Sequence, residues 1–377
     1  MLKQTYHFAR IALSALATTS VIFGAFLSQK SSKDLQWSGA HLLAEHINPF
    51  ETFMSGDLQH RIILTQAPNY LHLLYFTLLP FGTISFDKVK LYWLIINLLV
   101  CGIIFFHIHK TTNSKIFTAI ILLFLCSSPF RACLANGQTT LIIMLCFIIS
   151  IKQKNNAFAG SALALAICKY SFAPALFLLS LAQKKWKALI LAFAIHAITI
   201  YVFCSMFDLS FIYASILPLM VSAKAVALGN ADFMSLLEIN YGKNVLYYTF
   251  PITFCVLSSI TYFNTTHRNP SNDIAFVSVM SLLCFKHLTY DFLFLVFALI
   301  FAATHGIKKN VMVIATVVWF WFLFGAIEKW TPFGKHYNLL ITLNVILLCI
   351  TLGSIWLQTL KYKQTSIQHA KFYSRES

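Results

Sequence analysis

The stretch "KQKNNAFAGSALALAICKYSFAPALFLLSLAQKKWK", Lys152–Lys187, decides the fold. It is basic at both ends and apolar between, and "CKYSFAP" interrupts the apolar run near its centre. A helix that crosses a bilayer needs roughly 20 apolar residues. Neither half of this run has that length. Basic loops stay on the cytoplasmic side of a membrane. A segment basic at both ends therefore goes out and comes back, which predicts a hairpin of two short helices with Lys169 at its outer tip. The pattern recurs at residues 274–305, between "HRNPSND" and "HGIKKN". There "CFKHLTYD" is the interruption, and His287–Asp291 forms the tip. Broken helices at membrane depth are tolerated only where protein or a wet cavity covers the backbone.

The rest of the chain agrees with a membrane setting. Its 377 residues are 58% hydrophobic and 11% charged, and mean hydropathy is +0.73. Soluble domains carry roughly 25% charged residues, so a soluble fold is excluded. Full spans are expected near 9–28, 89–108, 116–131, 138–151, 188–207, 245–263, 310–328 and 337–357. The first of these lacks a small-x-small cleavage site and reads as an uncleaved span rather than a signal peptide. The formal net charge of +16 does not point to nucleic acid, because the lysines and arginines sit in short loops between apolar runs, as the positive-inside rule requires. The nine cysteines lie mostly within apolar runs without CxxC spacing and read as small apolar residues.

The expected fold is an all-α, polytopic membrane protein, a single domain over residues 1–377 with both termini cytoplasmic. Residues 29–88 form a large first extracytoplasmic loop with interfacial helices: Ala40–Ile47 as a short surface helix, and "PNYLHLLYFTLLP" along the interface. A second outer loop covers 208–244, and 361–377 form a basic, disordered cytoplasmic tail. The acids, which were not used to build this topology, segregate within it. Of twelve, only Asp273 and Glu376 fall inside, and the others lie outside or at an outer tip. Acids have little influence on topology, so their gathering on one face suggests a use there.

Several side chains could carry chemistry. Asp34 follows the first span directly. It is either an interfacial acid paired with Lys30 or Lys33, or the general base of an inverting sugar transfer. Such a transfer needs one carboxylate to take the acceptor proton, and no matching acid if the leaving group is a phosphate. Asp291 opens an apolar run, where a charge costs roughly 2.5–3.5 kcal/mol on insertion scales and a functional role is the default reading. It is either an ion-pair partner of Lys286 or a helix-start acid, or it is functional, with His287 and Tyr290 orienting a sugar hydroxyl or Asp291 itself. Lys169 either snorkels or sits beside a returning helix whose first turn contains Pro174 and favours an anion. At "RACLANGQTT", Arg131 precedes a Gly137 turn and a helix start near Gln138. "HLLAEH" does not have zinc spacing, and no P-loop or dinucleotide motif is present. No metal site and no cofactor are predicted; the sequence is silent on a divalent-metal requirement.

These residues resemble glycosyltransferase family 87, the polyprenol-phosphate-mannose-dependent mannosyltransferases of GT-C fold. The resemblance rests on "DLQW" at Asp34, "NPF" at Asn48 and "PNYLHLLYFTLLPFG" at Pro68. It continues through "NGQTTLII" at Asn136, "CKYSFAPALFLLSLAQKKWKAL" at Cys168 and "LLCFKHLTYDFLFL" at Leu282. Order is kept over roughly residues 34–295. Leu71–His72 replace a usual Pro-Pro, Tyr170 replaces a Pro, and Cys284–Phe285 replace a Ser-Pro. The resemblance implies a GT-C-type fold of about ten to twelve transmembrane or half-spanning helices in a bacterial inner membrane. It implies a polyprenyl-phosphate sugar donor, a glycan or glycolipid acceptor on the outer face, and inversion. Asp34 would be the base. Lys169, Arg131, Gly137 and Gln138 would bind the donor phosphate, and Asn48, Tyr70, His287, Tyr290 and Asp291 the sugar or acceptor. The competing classes are a transporter or lipid flippase, in which broken helices and intramembrane charges also occur, and a non-catalytic subunit of an envelope glycan assembly complex. Expected partners are the donor, the acceptor and membrane lipids, with no nucleic acid.

The hairpin reading predicts that reporter tags after Asn155, Lys184 and Lys309 are cytoplasmic, and that tags near Asp57 and Asn230 are external. Tags at Asn155 and Lys184 on opposite faces would turn the first hairpin into a single span and remove Lys169 from an outer tip.

Overall fold

The computed structural model describes residues 2–32, 36–56, 67–109, 114–225, 228–266, 269–330 and 337–373. Among them the protein is all helical, without a sheet. In chain order the helices are α1 (Leu2–Ser31), α2 (Trp37–Ala44), α3 (Pro49–Ser55), α4 (His72–Gly82), α5 (Phe86–His109), α6 (Ser114–Cys126) and α7 (Ser128–Ala135). Then come α8 (Thr140–Lys152), α9 (Asn156–Ile167), α10 (Ala173–Ala182), α11 (Trp186–Phe207), α12 (Phe211–Ala225) and α13 (Phe233–Tyr241). The last are α14 (Val245–Thr265), α15 (Pro270–Cys284), α16 (Leu295–His305), α17 (Val311–Val318), α18 (Phe324–Trp330) and α19 (Tyr337–Tyr373). A 3-10 turn, Thr289–Phe294, precedes α16, and a π-helical turn, Trp319–Leu323, joins α17 to α18.

Among the described residues, five helical stretches are long and apolar enough to cross a membrane: Arg10–Lys30, Phe86–His109, Trp186–Phe207, Ile307–Glu328 and Tyr337–Lys361. A sixth is the pair Ile116–Cys126 and Ser128–Ala135, bent by 54°. The chain is a multi-pass membrane protein. The expectation of ten to twelve crossing or half-crossing helices is corrected to these five or six. Two expected spans are not among them. Around residues 138–151 the helix is only the 13-residue α8, about 20 Å long. Around 245–263 the helix is the 21-residue α14.

The bend between α6 and α7 has a local cause. Pro129 lies in the first turn of α7 and cannot donate a helix hydrogen bond. Ser127 recaps the new helix: its hydroxyl accepts from Phe130 N at 3.2 Å and donates to Phe124 O at 2.7 Å. Arg131 Nη1 donates to the carbonyl of Cys126, which the bend leaves exposed, and to Ser20 Oγ on α1 at 3.3 Å. Both interruptions read from the sequence are present. Residues 168–172 separate α9 from α10, and 285–288 separate α15 from the 3-10 turn that leads into α16. The tail expected to lack structure continues α19 to Tyr373.

The chain divides into two compact units. The first comprises Met1–Ala173 and Lys185–Ala227. Here α1 packs on α6 and α7, α9 on α8 and α11, α5 on α8, and α2 on α4. The short helix expected at Ala40–Ile47 on the surface is α2, and it is buried. Trp37, Ala40, Leu42 and Leu43 join Phe50, Tyr75, Phe203 and Leu217 in one apolar cluster. The structure ties α2 to α4: Trp37 Nε1 donates to Phe81 O and Ile84 O, and His41 Nδ1 meets Gly82 O at 2.7 Å. α3 starts at an Asn-Pro cap. Asn48 Oδ1 accepts from the backbone N–H groups of Phe50 and Glu51, and Pro49 occupies a position whose N–H needs no helical partner. The second unit comprises Pro174–Lys184 and Leu228–Ser377. Within it α15 packs on α14, α16 and α19, α17 on α16 and α19, and α13 on α14 and α19.

The α2–α4 contact depends on Gly82. A Cβ there would stand 2.5 Å from Ala40 O and 2.7 Å from Ala40 C, both backbone atoms. Gly82→Ala is expected to destabilise the protein by about 1–3 kcal/mol, the usual cost of overpacking a fitted contact. Thermal unfolding in detergent measures it, and an unchanged midpoint would show that the two helices separate without cost.

Candidate active site

The predicted residues fall into two groups, one in each unit. In the first unit three chain segments converge on the start of α8. The α7 helix closes with a left-handed glycine, Gly137 at φ +62°. Gly137 N donates to Leu134 O at 3.1 Å and Gln138 N to Cys133 O at 2.9 Å, which satisfies the last carbonyls of α7. Trp93 Nε1 of α5 donates to Gly137 O at 2.7 Å and fixes the turn from the other side. Gln138, Thr139 and Thr140 follow, all buried. Leu71 N donates to Cys168 O at 3.2 Å and draws the 168–172 turn against the start of α4. That contact carries Lys169 to α8. Its side chain is 8% exposed, and Nζ meets Thr140 Oγ1 at 3.5 Å and lies 6.0 Å from the centre of the Phe172 ring.

A chain of hydrogen bonds continues from this point. Thr139 Oγ1 donates to Tyr70 Oη at 3.1 Å. Tyr70 N donates to Tyr75 Oη at 3.3 Å, and Tyr75 Oη donates to Gln36 Oε1 at 2.7 Å. Gln36 holds a left-handed backbone at φ +53°, uncommon for a residue other than glycine. Strain of this kind clusters at functional sites. Gln36 lies within "DLQW" but was given no role of its own in the sequence; its signal is the backbone geometry. Asp34 lies outside the described residues.

The other expectations divide. Lys169, Gly137, Gln138 and Tyr70 are brought together. Asn48 caps α3, with Nδ2 donating to Glu51 Oε2 at 2.9 Å, so its side chain serves the helix start. Arg131 braces the α6–α7 bend against α1 through the bonds given above.

In the second unit, His287, Tyr290 and Asp291 occupy the break between α15 and α16. His287 Nδ1 and Asp291 Oδ2 are 3.0 Å apart, and both side chains are almost fully buried. Tyr290 is half-buried in the same turn. Two acids that motif reading passed over lie in this unit. Asp232 caps α13: its Oδ1 accepts from Ser235 N at 2.7 Å and its Oδ2 from Ser235 Oγ at 3.0 Å. It occupies the space beside Gly229, where a Cβ would collide with Asp232 Oδ2 and come within 2.9 Å of His287 N. Glu238 is paired with Lys286, with Lys243 at 3.4 Å, and accepts from Tyr248 Oη at 3.2 Å. In the sequence both lie in the expected outer loop 208–244, and Asp232 is an alternative to Asp34 as the base.

Burial pushes the Asp232 carboxyl above the usual carboxylate range, against the opposing effects of its Ser235 hydrogen bonds and of His287 and Lys286. A carboxyl raised in this way binds its proton more tightly in the folded state. Its contribution to stability is therefore full below pH ~4, the unfolded value, and is lost as pH rises through the folded value. Asp232→Asn is expected to flatten the fall of the unfolding midpoint on the neutral side of pH ~4. An identical pH profile in the variant would mean that folding does not shift the Asp232 carboxyl.

The family model described as Glycosyltransferase family 87 matches residues 73–285. No curated protein and no solved structure matches the chain.

Proposed function

Because the chain belongs to glycosyltransferase family 87, a membership that makes it a membrane-embedded transferase, we propose that it moves a hexose, in the first instance mannose, from a polyprenyl-phosphate donor to a hydroxyl of a glycan or glycolipid. The acceptor lies on the extracytoplasmic face of a bacterial inner membrane, the fold is of GT-C type, and both termini are cytoplasmic. The observation that carries the reading is the convergence of the Lys169 ammonium with the first turn of α8. A cation beside backbone N–H groups and a helix N-terminus suits a phosphate.

In the proposed reaction Asp34 takes the proton of the acceptor hydroxyl. The acceptor oxygen forms its bond to the anomeric carbon as the bond from that carbon to the phosphate oxygen breaks. The electron pair leaves with the phosphate, and the configuration inverts. No proton donor is needed on the leaving side, since the phosphate departs as an anion. Negative charge grows there during bond breaking, so a fixed Lys169 helps more in the transition state than in the bound donor. Gly137 and Gln138 shape the same turn, and Tyr70 ties it by hydrogen bonds to Gln36, two residues beyond Asp34. His287, Tyr290 and Asp291 are assigned to the sugar or the acceptor. A lipid-linked donor also fits an active face turned away from cytoplasmic nucleotide sugars.

Two substitutions test the roles separately. Asp34→Asn keeps size and removes the proton acceptor. A positioned base contributes about 10²–10⁴-fold in rate, so turnover is expected to fall by that order with donor binding retained. Lys169→Met keeps length and removes charge; it is expected to lower turnover strongly and donor affinity less. Near wild-type transfer by Asp34→Asn would make Asp34 an interfacial acid. Full activity in Lys169→Met would make Lys169 a snorkelling lysine.

A further inference from the structure

The π-helical turn Trp319–Leu323 lies inside the crossing stretch Ile307–Glu328, and neither the motifs nor the family match, which ends at residue 285, accounts for it. Turns of this kind appear mostly as single insertions in α-helices, frequently at functional sites. An indole N–H is donor only and needs a partner when buried. Both tryptophans of this turn spend that donor on one neighbourhood. Trp321, fully buried, donates from Nε1 to Phe292 O at 2.8 Å, one residue after Asp291. Trp319 donates from Nε1 to Asn344 Oδ1 at 2.7 Å.

Asn344 is fully buried in α19 and passes the connection on. Its Nδ2 donates to Asn230 O at 2.7 Å. Asn230 then grips the break between α15 and α16 twice: its backbone N donates to His287 O at 2.9 Å, and its Nδ2 donates to Thr289 Oγ1 at 3.0 Å. Tyr337 Oη lies 3.3 Å from Asn230 Oδ1 and supports it from α19. The two routes meet the 287–292 segment at its beginning and at its end. That segment runs from the break into the 3-10 turn, and Phe292 anchors its far end against Phe320 and Phe324, whereas its His287–Asp291 part is largely polar. Directed hydrogen bonds hold that part.

We infer that Trp319, Trp321, Asn344 and Asn230 are positioning residues: through Asn230 on one side and Phe292 on the other, they hold the His287–Asp291 turn in the geometry that meets substrate. The inference rests on the assignment of that turn to the sugar or acceptor. It adds residues that lie beyond the family match or carry no motif, and it gives the π-helical turn a task. A misplacement of about 1 Å at a reacting centre costs on the order of 100-fold in rate, so the bracing acts on catalysis without touching substrate.

The test uses the full-length protein in nanodiscs and two variants. Asn344→Leu removes both amide bonds at similar volume; Trp319→Phe deletes one N–H and keeps the test open if the first variant does not accumulate. Hydrogen exchange over peptides spanning 285–294 is expected to quicken in each variant, with peptides spanning 140–152 unchanged. Kinetics per folded enzyme use polyprenyl-phosphate mannose as donor and octyl mannoside as acceptor. The KM of the substrate that meets the turn is expected to rise about ten- to a hundredfold, the loss of one or two hydrogen bonds to substrate, whereas a merely structural role would lower the folded fraction and leave both KM values in place. Unchanged exchange in the turn overturns the inference, as does a loosened turn with both KM values unchanged. His287→Ala separates the two levels of failure. If it too leaves both KM values unchanged, the assignment of the turn to substrate is at fault. If it raises one while Asn344→Leu does not, the bracing is at fault.

Discussion

An ammonium group buried in an apolar unit is the constraint around which the first half of the molecule is arranged. Lys169 is 8% exposed, and taking a charge out of water costs several kcal/mol unless dipoles and hydrogen bonds replace the lost hydration. The surroundings supply such groups. The Thr140 hydroxyl and the Phe172 ring meet the ammonium. The α7–α8 connection is locked by the left-handed Gly137 and by Trp93. The 168–172 turn is held to α4 by Leu71. In the proposed reaction its charge serves a departing phosphate.

The second unit solves a different problem with similar means. Its irregular segment carries a buried His287–Asp291 pair, and irregular backbone in an apolar setting must satisfy its polar groups internally. Asn230, Asn344 and the two indoles do so from three directions. Asp232 and Glu238 add acids to the same unit, the first beside Gly229 and the second paired with Lys286. Both units thus place a break in an apolar helical run, set a charged side chain in the break, and surround it with directed hydrogen bonds.

Much of this was legible in the sequence because breaks in apolar runs are local signals. "CKYSFAP" and "CFKHLTYD" mark the two interruptions where they occur, and Gly137 marks the α7 terminus. The number of crossing helices was not legible. Hydropathy does not separate a membrane span from a short apolar helix buried by protein, and α8 is of the second kind. The burial of α2 was hidden for the same reason, since its partner α4 is a further short apolar stretch. Asn48 and Arg131 show the limit for single side chains. Residue type shows their hydrogen-bonding chemistry, whereas the contacts they make, a cap on α3 and a brace at the α6–α7 bend, are read only from the structure. The Gln36 backbone and the π-helical turn left no sequence trace.

The account stands on the donor. Purified protein in nanodiscs, given radiolabelled polyprenyl-phosphate mannose and a mannoside acceptor with no nucleotide sugar present, is predicted to release polyprenyl phosphate and a labelled glycoside in equal amounts, with inverted configuration at the labelled sugar. Transfer that occurs only when a nucleotide sugar is supplied, or that retains configuration, would contradict it.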